Sequence, residues 1–157
     1  MATISSFGQK PNATTEKKTF SRTTQVNVTI NADLETVWSI LTNATEYPNW
    51  NSTIISLEGN IVLKEKIKLT STLDSTRTFK LKIKEFDINT SLVWGDGMGE
   101  RTFTLTKTDA GIVFNMTETI GGFMFPMFAN KIPPFDESFN QFSADLKEEA
   151  ERLYSKK

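Results

Sequence analysis

Hydrophobic and polar residues alternate along most of the chain, which is the pattern of strands that bury one face. The clearest case is residues 76–86, where Phe79, Leu81 and Ile83 alternate with lysines. This alternation predicts a strand whose lysines face solvent and do not form a phosphate site. Similar patterns predict further strands at residues 20–30, 54–57, 64–73, 92–94, 101–107 and 112–120.

A helical period appears in two segments of the sequence. Residues 33–42 carry an apolar stripe that includes Val37 and Trp38, with Asn31 or Asp33 as the N-cap. A longer helix is predicted to start near Pro133, because proline is tolerated in a first turn, and to end near Tyr154. Its apolar face recurs at spacings of four and three and comprises Phe135, Phe139, Phe142, Leu146, Ala150 and Leu153.

Residues 25–50 combine a strand, an acidic cap, a short helix and a Tyr-Pro-Asn-Trp turn in that order. This order resembles the opening of the START-like SRPBCC superfamily, which includes polyketide cyclase/dehydrase-like and lipid-transport proteins. The resemblance covers roughly residues 20–154. It implies an α+β helix-grip fold, in which a curved antiparallel β-sheet of about six or seven strands wraps around a long C-terminal α-helix. It also implies short helices between the first two strands.

The chain of 157 residues is long enough for one domain with a single core and an internal cavity. We assign residues 1–19 to a polar N-terminal leader, in which we expect partial disorder. Residues 20–157 are assigned to one START-like SRPBCC ligand-binding domain. The leader has no hydrophobic signal segment and the chain has no cysteine, which together favour a cytoplasmic location.

Composition excludes several functions. A net charge of -1 gives no basic surface for nucleic acid, and no apolar run approaches the roughly 18 residues of a membrane span. We therefore expect neither nucleic acid nor integral membrane association, and a monomer or homodimer. The absence of histidine and cysteine excludes Ser-His-Asp and Cys-His nucleophilic sites and ordinary zinc sites. We expect no metal and no cofactor, and any acid–base catalyst must be a carboxylate, a lysine or a tyrosine.

Many aromatic side chains share the inward parity of the strands or the apolar face of the terminal helix. They either fill a solid core or line an apolar cavity, and the resemblance favours the cavity. Two glycine-containing segments, residues 95–99 and 121–128, are predicted to border its mouth as a gate. The candidate ligand-binding residues are Arg77, Phe79, Trp94, Arg101, Phe103, Phe114, Met116, Glu118, Phe135, Phe139 and Phe142.

Three charged residues also have the inward parity, namely Arg77, Arg101 and Glu118. If the turn at Asp109 pairs Leu105 with Phe114, the same register places Arg101 opposite Glu118. The two side chains then face each other across neighbouring strands, either inside the cavity or as a partly solvated structural pair at the strand ends.

Three functions remain open from the sequence. The leading hypothesis is binding, and by extension transport, of a hydrophobic or amphipathic small molecule between the sheet and the C-terminal helix. The alternative is a polyketide cyclase/dehydrase-like enzyme, with Glu118 as the acid or base and Arg101 or Arg77 stabilising an enolate. A chaperone-activator-like protein-interaction module is the second alternative. The absence of histidine favours binding over catalysis.

Overall fold

An antiparallel sheet of eight strands forms the frame of the part of the chain, residues 10–157, that the computed structural model describes. The strands lie in the order β1-β2-β8-β7-β6-β5-β4-β3. Shifts of register interrupt the pairing of β3 with β4, β4 with β5 and β5 with β6, and such bulges bend a sheet. The strands are β1 (Thr14–Lys17), β2 (Ser21–Ile30), β3 (Ile54–Glu58), β4 (Lys66–Ser71), β5 (Asp74–Asp87), β6 (Ser91–Gly95), β7 (Gly99–Thr108) and β8 (Gly111–Gly121).

Within residues 10–157 the helices lie in two places, between β2 and β3 and after β8. The first group contains α1 (Leu34–Thr42), a 3-10 helix (Ala44–Glu46) and α2 (Tyr47–Trp50). The second contains α3 (Phe125–Phe128), a 3-10 helix (Ala129–Lys131) and α4 (Asp136–Tyr154). Within residues 10–157, no helix combines the length and the apolarity that crossing a bilayer requires.

Local interactions explain where the first helices begin. The backbone N–H of Thr36 donates to the Asp33 carboxylate over 2.9 Å, so that Asp33, one of the two N-cap candidates from the sequence, is the N-cap. In α2, the Tyr47 ring is fully buried and its hydroxyl donates to the carbonyl oxygen of Leu41 over 2.8 Å. This bond satisfies the one polar group that the ring brings into the core and ties α2 to the end of α1.

The α4 helix has 19 residues, about 28 Å at 1.5 Å per residue, and lies across the concave face of the sheet. Its apolar stripe of Phe139, Phe142, Leu146 and Ala150 is buried. The helix contacts β2 and β8 as well as α1 and α2. The helix therefore buries its apolar stripe against one part of the sheet and against the short helices beside it.

The α+β helix-grip fold predicted from the sequence is confirmed, with three differences in detail. The described sheet has eight strands, one more than the sequence predicts, and the additional strand is β1. β1 is polar on both faces and has no alternation to detect, and it is held by pairing with β2 and by a hydrogen bond from Thr15 to Asp136 of 2.6 Å. The short helices accordingly lie between β2 and β3. The long helix begins at Asp136, and Pro133 and Pro134 precede it in a segment without regular secondary structure. Residues 1–9 of the assigned leader lie outside the described residues.

Replacing Phe139 by alanine should lower the free energy of unfolding by about 3–5 kcal/mol, because the ring is fully buried and stacks on Phe135. Chemical denaturation monitored by circular dichroism measures this change. The matched control is Phe123→Ala, since the Phe123 ring is 86% exposed and its loss should cost less than about 0.5 kcal/mol. Equal losses in the two variants would show that α4 does not bury its apolar stripe as described.

Candidate functional site

A cavity of about 380 Å³ lies between the concave face of the sheet and the chain that leads into α4. It reaches the surface where exposed residues such as Arg77, Met98 and Lys131 border it. Its apolar walls come from the sheet and from the segment before α4 and comprise Ile54, Leu69, Leu73, Phe79, Leu81, Trp94, Ile120, Phe128, Ile132, Pro133 and Phe135. The polar lining comprises Thr53, Ser71, Asp74, Arg77, Asp96, Arg101, Glu118, Lys131 and Ser138.

The sequence-predicted site residues separate into two groups. Six of them line the cavity and lie near the open end of the sheet or at the start of α4, namely Arg77, Phe79, Trp94, Arg101, Glu118 and Phe135. The other five are fully buried in a filled core that does not border the cavity, namely Phe103, Phe114, Met116, Phe139 and Phe142. Strand parity identifies the inward face, but it does not say how far along the strand the cavity extends.

The filled part of the core is built from stacked aromatic rings. Phe114 and Phe142 stack with ring centroids 6.3 Å apart and an angle of 11°, and Phe103 contacts both of them. Trp94 packs edge-on against Phe103 at 4.8 Å and also borders the cavity. Trp94 therefore stands at the boundary between the filled core and the empty space.

Arg101 and Glu118 form an ion pair in the cavity wall. They are directly opposite each other on β7 and β8, in the register predicted from the turn at Asp109. The Arg101 Nε donates to the Glu118 Oε1 over 2.6 Å. The two side chains are only 11% and 18% exposed. Because neither charge is well solvated, pairing lowers the cost of burying each of them.

The guanidinium of Arg101 also lies over aromatic rings of α4. Its central carbon is 4.9 Å from the centroid of the Phe139 ring and 5.7 Å from that of Phe142. Such contacts attract a cation to a ring face and add to the ion pair. Burial raises the pKa of Tyr47 well above its ordinary value, and the positive charge of Arg101 acts against this shift. Arg101 thus lies between the cavity, which it lines, and the aromatic core, on which its guanidinium packs.

Arg22 is a buried arginine that the sequence analysis did not select. It lies on β2, donates to the carbonyl oxygens of Ile132 and Pro133 over 3.2 and 2.8 Å, and stacks on the Phe135 ring at 4.8 Å. Burial lowers its pKa, while the negative charges of Asp136 and Glu118 act in the opposite direction. The sequence did contain a signal for this residue. Arg22 shares the inward parity of Val26, and an arginine that points inward needs hydrogen-bond acceptors for its N–H groups.

The two segments predicted to form a gate both border the cavity. In the β6–β7 turn, the Asp96 carboxylate accepts from the backbone N–H groups of Met98 and Gly99. A Cβ atom at Gly95 would overlap the carbonyl oxygen of Gly99, so the tight turn requires glycine there. The Gly121 N–H donates to the Met98 carbonyl oxygen over 2.9 Å and connects this turn to the second segment.

Residues 121–128, which we call the lip, carry exposed apolar side chains next to the cavity. Phe123 is 86% exposed and Met127 is 73% exposed, whereas Phe125 is buried and anchors the segment. Only Phe128 of the lip lines the cavity itself. Gly122 has a φ of +138°, a conformation that lets the chain leave β8 and turn back towards α4.

Solved structures of other proteins share this architecture. A START superfamily protein from Mycobacterium smegmatis is 16% identical, with a TM-score of 0.61, and the alignment covers 83% of this chain and 98% of that one. A protein from Nitrosomonas europaea is 11% identical with a TM-score of 0.67, covering 89% and 99% of the two chains. One from Mesorhizobium loti is 19% identical with a TM-score of 0.65, covering 83% and 98%.

No family model matches the sequence, and no curated protein sequence matches it. The structural matches show a START-like, SRPBCC-type helix-grip fold, as the sequence resemblance implied. At such low identities they show the fold alone, because one fold carries many different sites.

Replacing Arg22 by methionine should loosen the chain between the lip and α4, because the carbonyls of Ile132 and Pro133 lose their donor. We expect a loss of about 1–3 kcal/mol in the free energy of unfolding and faster hydrogen exchange in residues 122–135. The control is Arg152→Met, because Arg152 pairs with Glu149 on the exposed side of α4. Loss of this exposed pair should cost less than about 1 kcal/mol of stability. Unchanged exchange in residues 122–135 would contradict the role of Arg22.

Proposed function

We propose that the protein binds a hydrophobic or amphipathic small molecule in the cavity between the sheet and α4, with transport as an extension of this role. The observation that carries the proposal is a cavity of about 380 Å³ with apolar walls and a part-buried ion pair in its lining. Ligand sites in proteins have volumes of roughly 300–1,000 Å³, apolar walls and a few polar groups that orient the ligand. The cavity has each of these properties.

The adjoining core supports this interpretation. Around Phe103, Phe114 and Phe142 the side chains fill the space between helix and sheet, so the fold is able to close its interior. The space beside Leu69, Leu81 and Phe135 is left open within the same fold. Unfilled volume costs stability in proportion to its size. A bound ligand would recover the lost contacts, since its apolar part would take the place of the missing side chains.

The cavity wall offers an apolar and a polar end to such a ligand. The apolar part would lie against the aliphatic and aromatic side chains of β4, β5 and β6. The polar part would reach Arg101 and Glu118, whose charges already face the cavity. Arg77, which stacks on Phe79 at 4.5 Å, and Lys131 are exposed at the border and would meet any group that projects towards solvent.

Filling the cavity should abolish binding of the neutral fluorescent probe Nile red. Ser138 lies on α4 and lines the cavity, so Ser138→Phe places a ring inside it. The control Glu148→Phe adds the same ring on the exposed side of the same helix. We expect the wild type and Glu148→Phe to bind Nile red with enhanced fluorescence, and Ser138→Phe to bind it at least about tenfold more weakly. Native mass spectrometry of the purified wild-type protein should also detect a co-purified apolar compound.

Two results would refute ligand binding in this cavity. One is probe fluorescence that appears only under partly denaturing conditions, which would mean that the native cavity is closed. The other is equal binding by Ser138→Phe and Glu148→Phe, which would place the probe elsewhere.

Catalysis of the polyketide cyclase/dehydrase type is the second candidate function. It is favoured by one observation, which is that a carboxylate and a guanidinium face the same apolar cavity. Glu118 would remove a proton from the carbon between two carbonyl groups, and Arg101 would stabilise the resulting enolate.

An enzyme of this type should accelerate deuterium exchange at the central carbon of a long-chain β-diketone in heavy water. Proton NMR measures the rate, and Glu118→Gln should reduce the acceleration at least about 100-fold because the base is lost. Glu100→Gln removes an exposed carboxylate of the neighbouring strand β7 and should leave the rate unchanged. The absence of acceleration by the wild type would remove the catalytic alternative and leave binding unaffected.

A further inference from the structure

We infer that the ligand's polar group is a neutral unit that places a hydrogen-bond donor beside an acceptor, such as a primary amide or a hydroxy-ketone. A carboxylate is disfavoured. This inference rests on the proposed binding function and specifies the chemical class of its ligand. It follows from the bonding capacity and the net charge of the Arg101–Glu118 pair.

The pair retains both donors and an acceptor after its own bond is made. A guanidinium has five N–H donors, and the Arg101 Nε–H is the one that bonds to Glu118. Within residues 10–157, no acceptor is bonded to the Arg101 Nη1 or Nη2, and no donor is bonded to the Glu118 Oε2. Both residues line the cavity. The wall thus presents N–H donors and a carboxylate oxygen next to each other.

A carboxylate ligand would meet one favourable and one unfavourable charge at this wall. The ligand carboxylate would be attracted to the guanidinium of Arg101. Glu118 is bonded to that same guanidinium, however, and its negative charge would repel the ligand. A further arginine, Arg22, uses its N–H groups on the carbonyl oxygens of Ile132 and Pro133, and its charge acts first on Asp136 and then on Glu118. Because Arg101 and Glu118 carry opposite charges, an anionic ligand would gain no net charge from the pair when it leaves water for this poorly solvated wall.

A neutral donor–acceptor group satisfies both halves of the pair. The carbonyl oxygen of an amide or hydroxy-ketone can accept from an Nη of Arg101, while its N–H or O–H donates to the Glu118 Oε2. A group with an acceptor alone, such as an ester, leaves the carboxylate oxygen without a partner. Leaving a buried polar group unpaired is the usual reason why a site rejects an analogue that lacks one hydrogen bond.

Three compounds with the same alkyl chain test this inference: decanamide, methyl decanoate and decanoate. Each is titrated against Nile red bound to the wild-type protein, and the displacement gives its affinity. We expect decanamide to bind at least about tenfold more tightly than methyl decanoate, and decanoate to bind most weakly.

The variant Glu118→Gln should change this order, because it removes the repelling charge and supplies an amide donor. Decanoate should then bind at least about tenfold more tightly than it does to the wild type, while decanamide changes much less. Glu100→Gln is the matched control. Glu100 lies next to Arg101 on β7 and pairs with Lys84 at the surface. Its substitution should therefore leave all three affinities unchanged. A purely structural role of Glu118 would not produce this exchange of preference.

The possible failures are distinguishable. If decanoate binds to the wild type as tightly as decanamide, or if none of the three compounds displaces Nile red, the inference is wrong and cavity binding stands. If Nile red itself does not bind to the native wild type, the proposed function fails. If Glu118→Gln does not fold, the order of the three affinities in the wild type decides the question alone.

Discussion

Packing of one helix against a bent sheet is the constraint on which the rest of this structure depends. Near the middle of α4, Phe142 stacks on Phe114 and contacts Phe103, so helix and sheet are in direct contact. At the start of α4, Phe135 and Ser138 face open space instead. Two of the register shifts, at Ile54 and between Leu69 and Ser71, involve residues that line the cavity, and such bulges bend strands. A straight helix follows such a bend over only part of its length.

Arginine side chains hold the open end of the structure in shape. Arg22 connects β2 to the carbonyls that precede α4, and Arg101 connects β7 to β8 and to the rings of α4. Neither interaction depends on filling the space between the elements, because a long side chain with several donors can bridge it. The walls of the cavity are therefore fixed by directional bonds, whereas the core beneath them is fixed by contact between apolar surfaces.

Sequence reasoning reached the fold and the charged pair because both follow from short-range rules. The turn at Asp109 sets the register of β7 and β8, and this register places Arg101 opposite Glu118. The extent of the cavity could not be found in this way. Phe79 and Phe103 have the same inward parity, but only Phe79 lines the cavity, because their depth in the fold depends on how the sheet bends. β1 was missed because its sequence has no hydrophobic period. Pairing with β2 and a hydrogen bond to Asp136 hold it in the sheet instead.

The separation of a filled core from an open cavity also separates the two effects that substitutions can have. A change at Phe103 or Phe114 removes contacts that the folded state needs, so it acts on stability first. A change at Leu81 or Phe79 alters a wall that already faces the cavity, so it removes fewer packing contacts from the folded state. On the proposed function, the shape and polarity of the cavity can therefore vary between relatives of this fold without loss of the core. This accounts in physical terms for how one helix-grip frame can carry different sites at very low sequence identity.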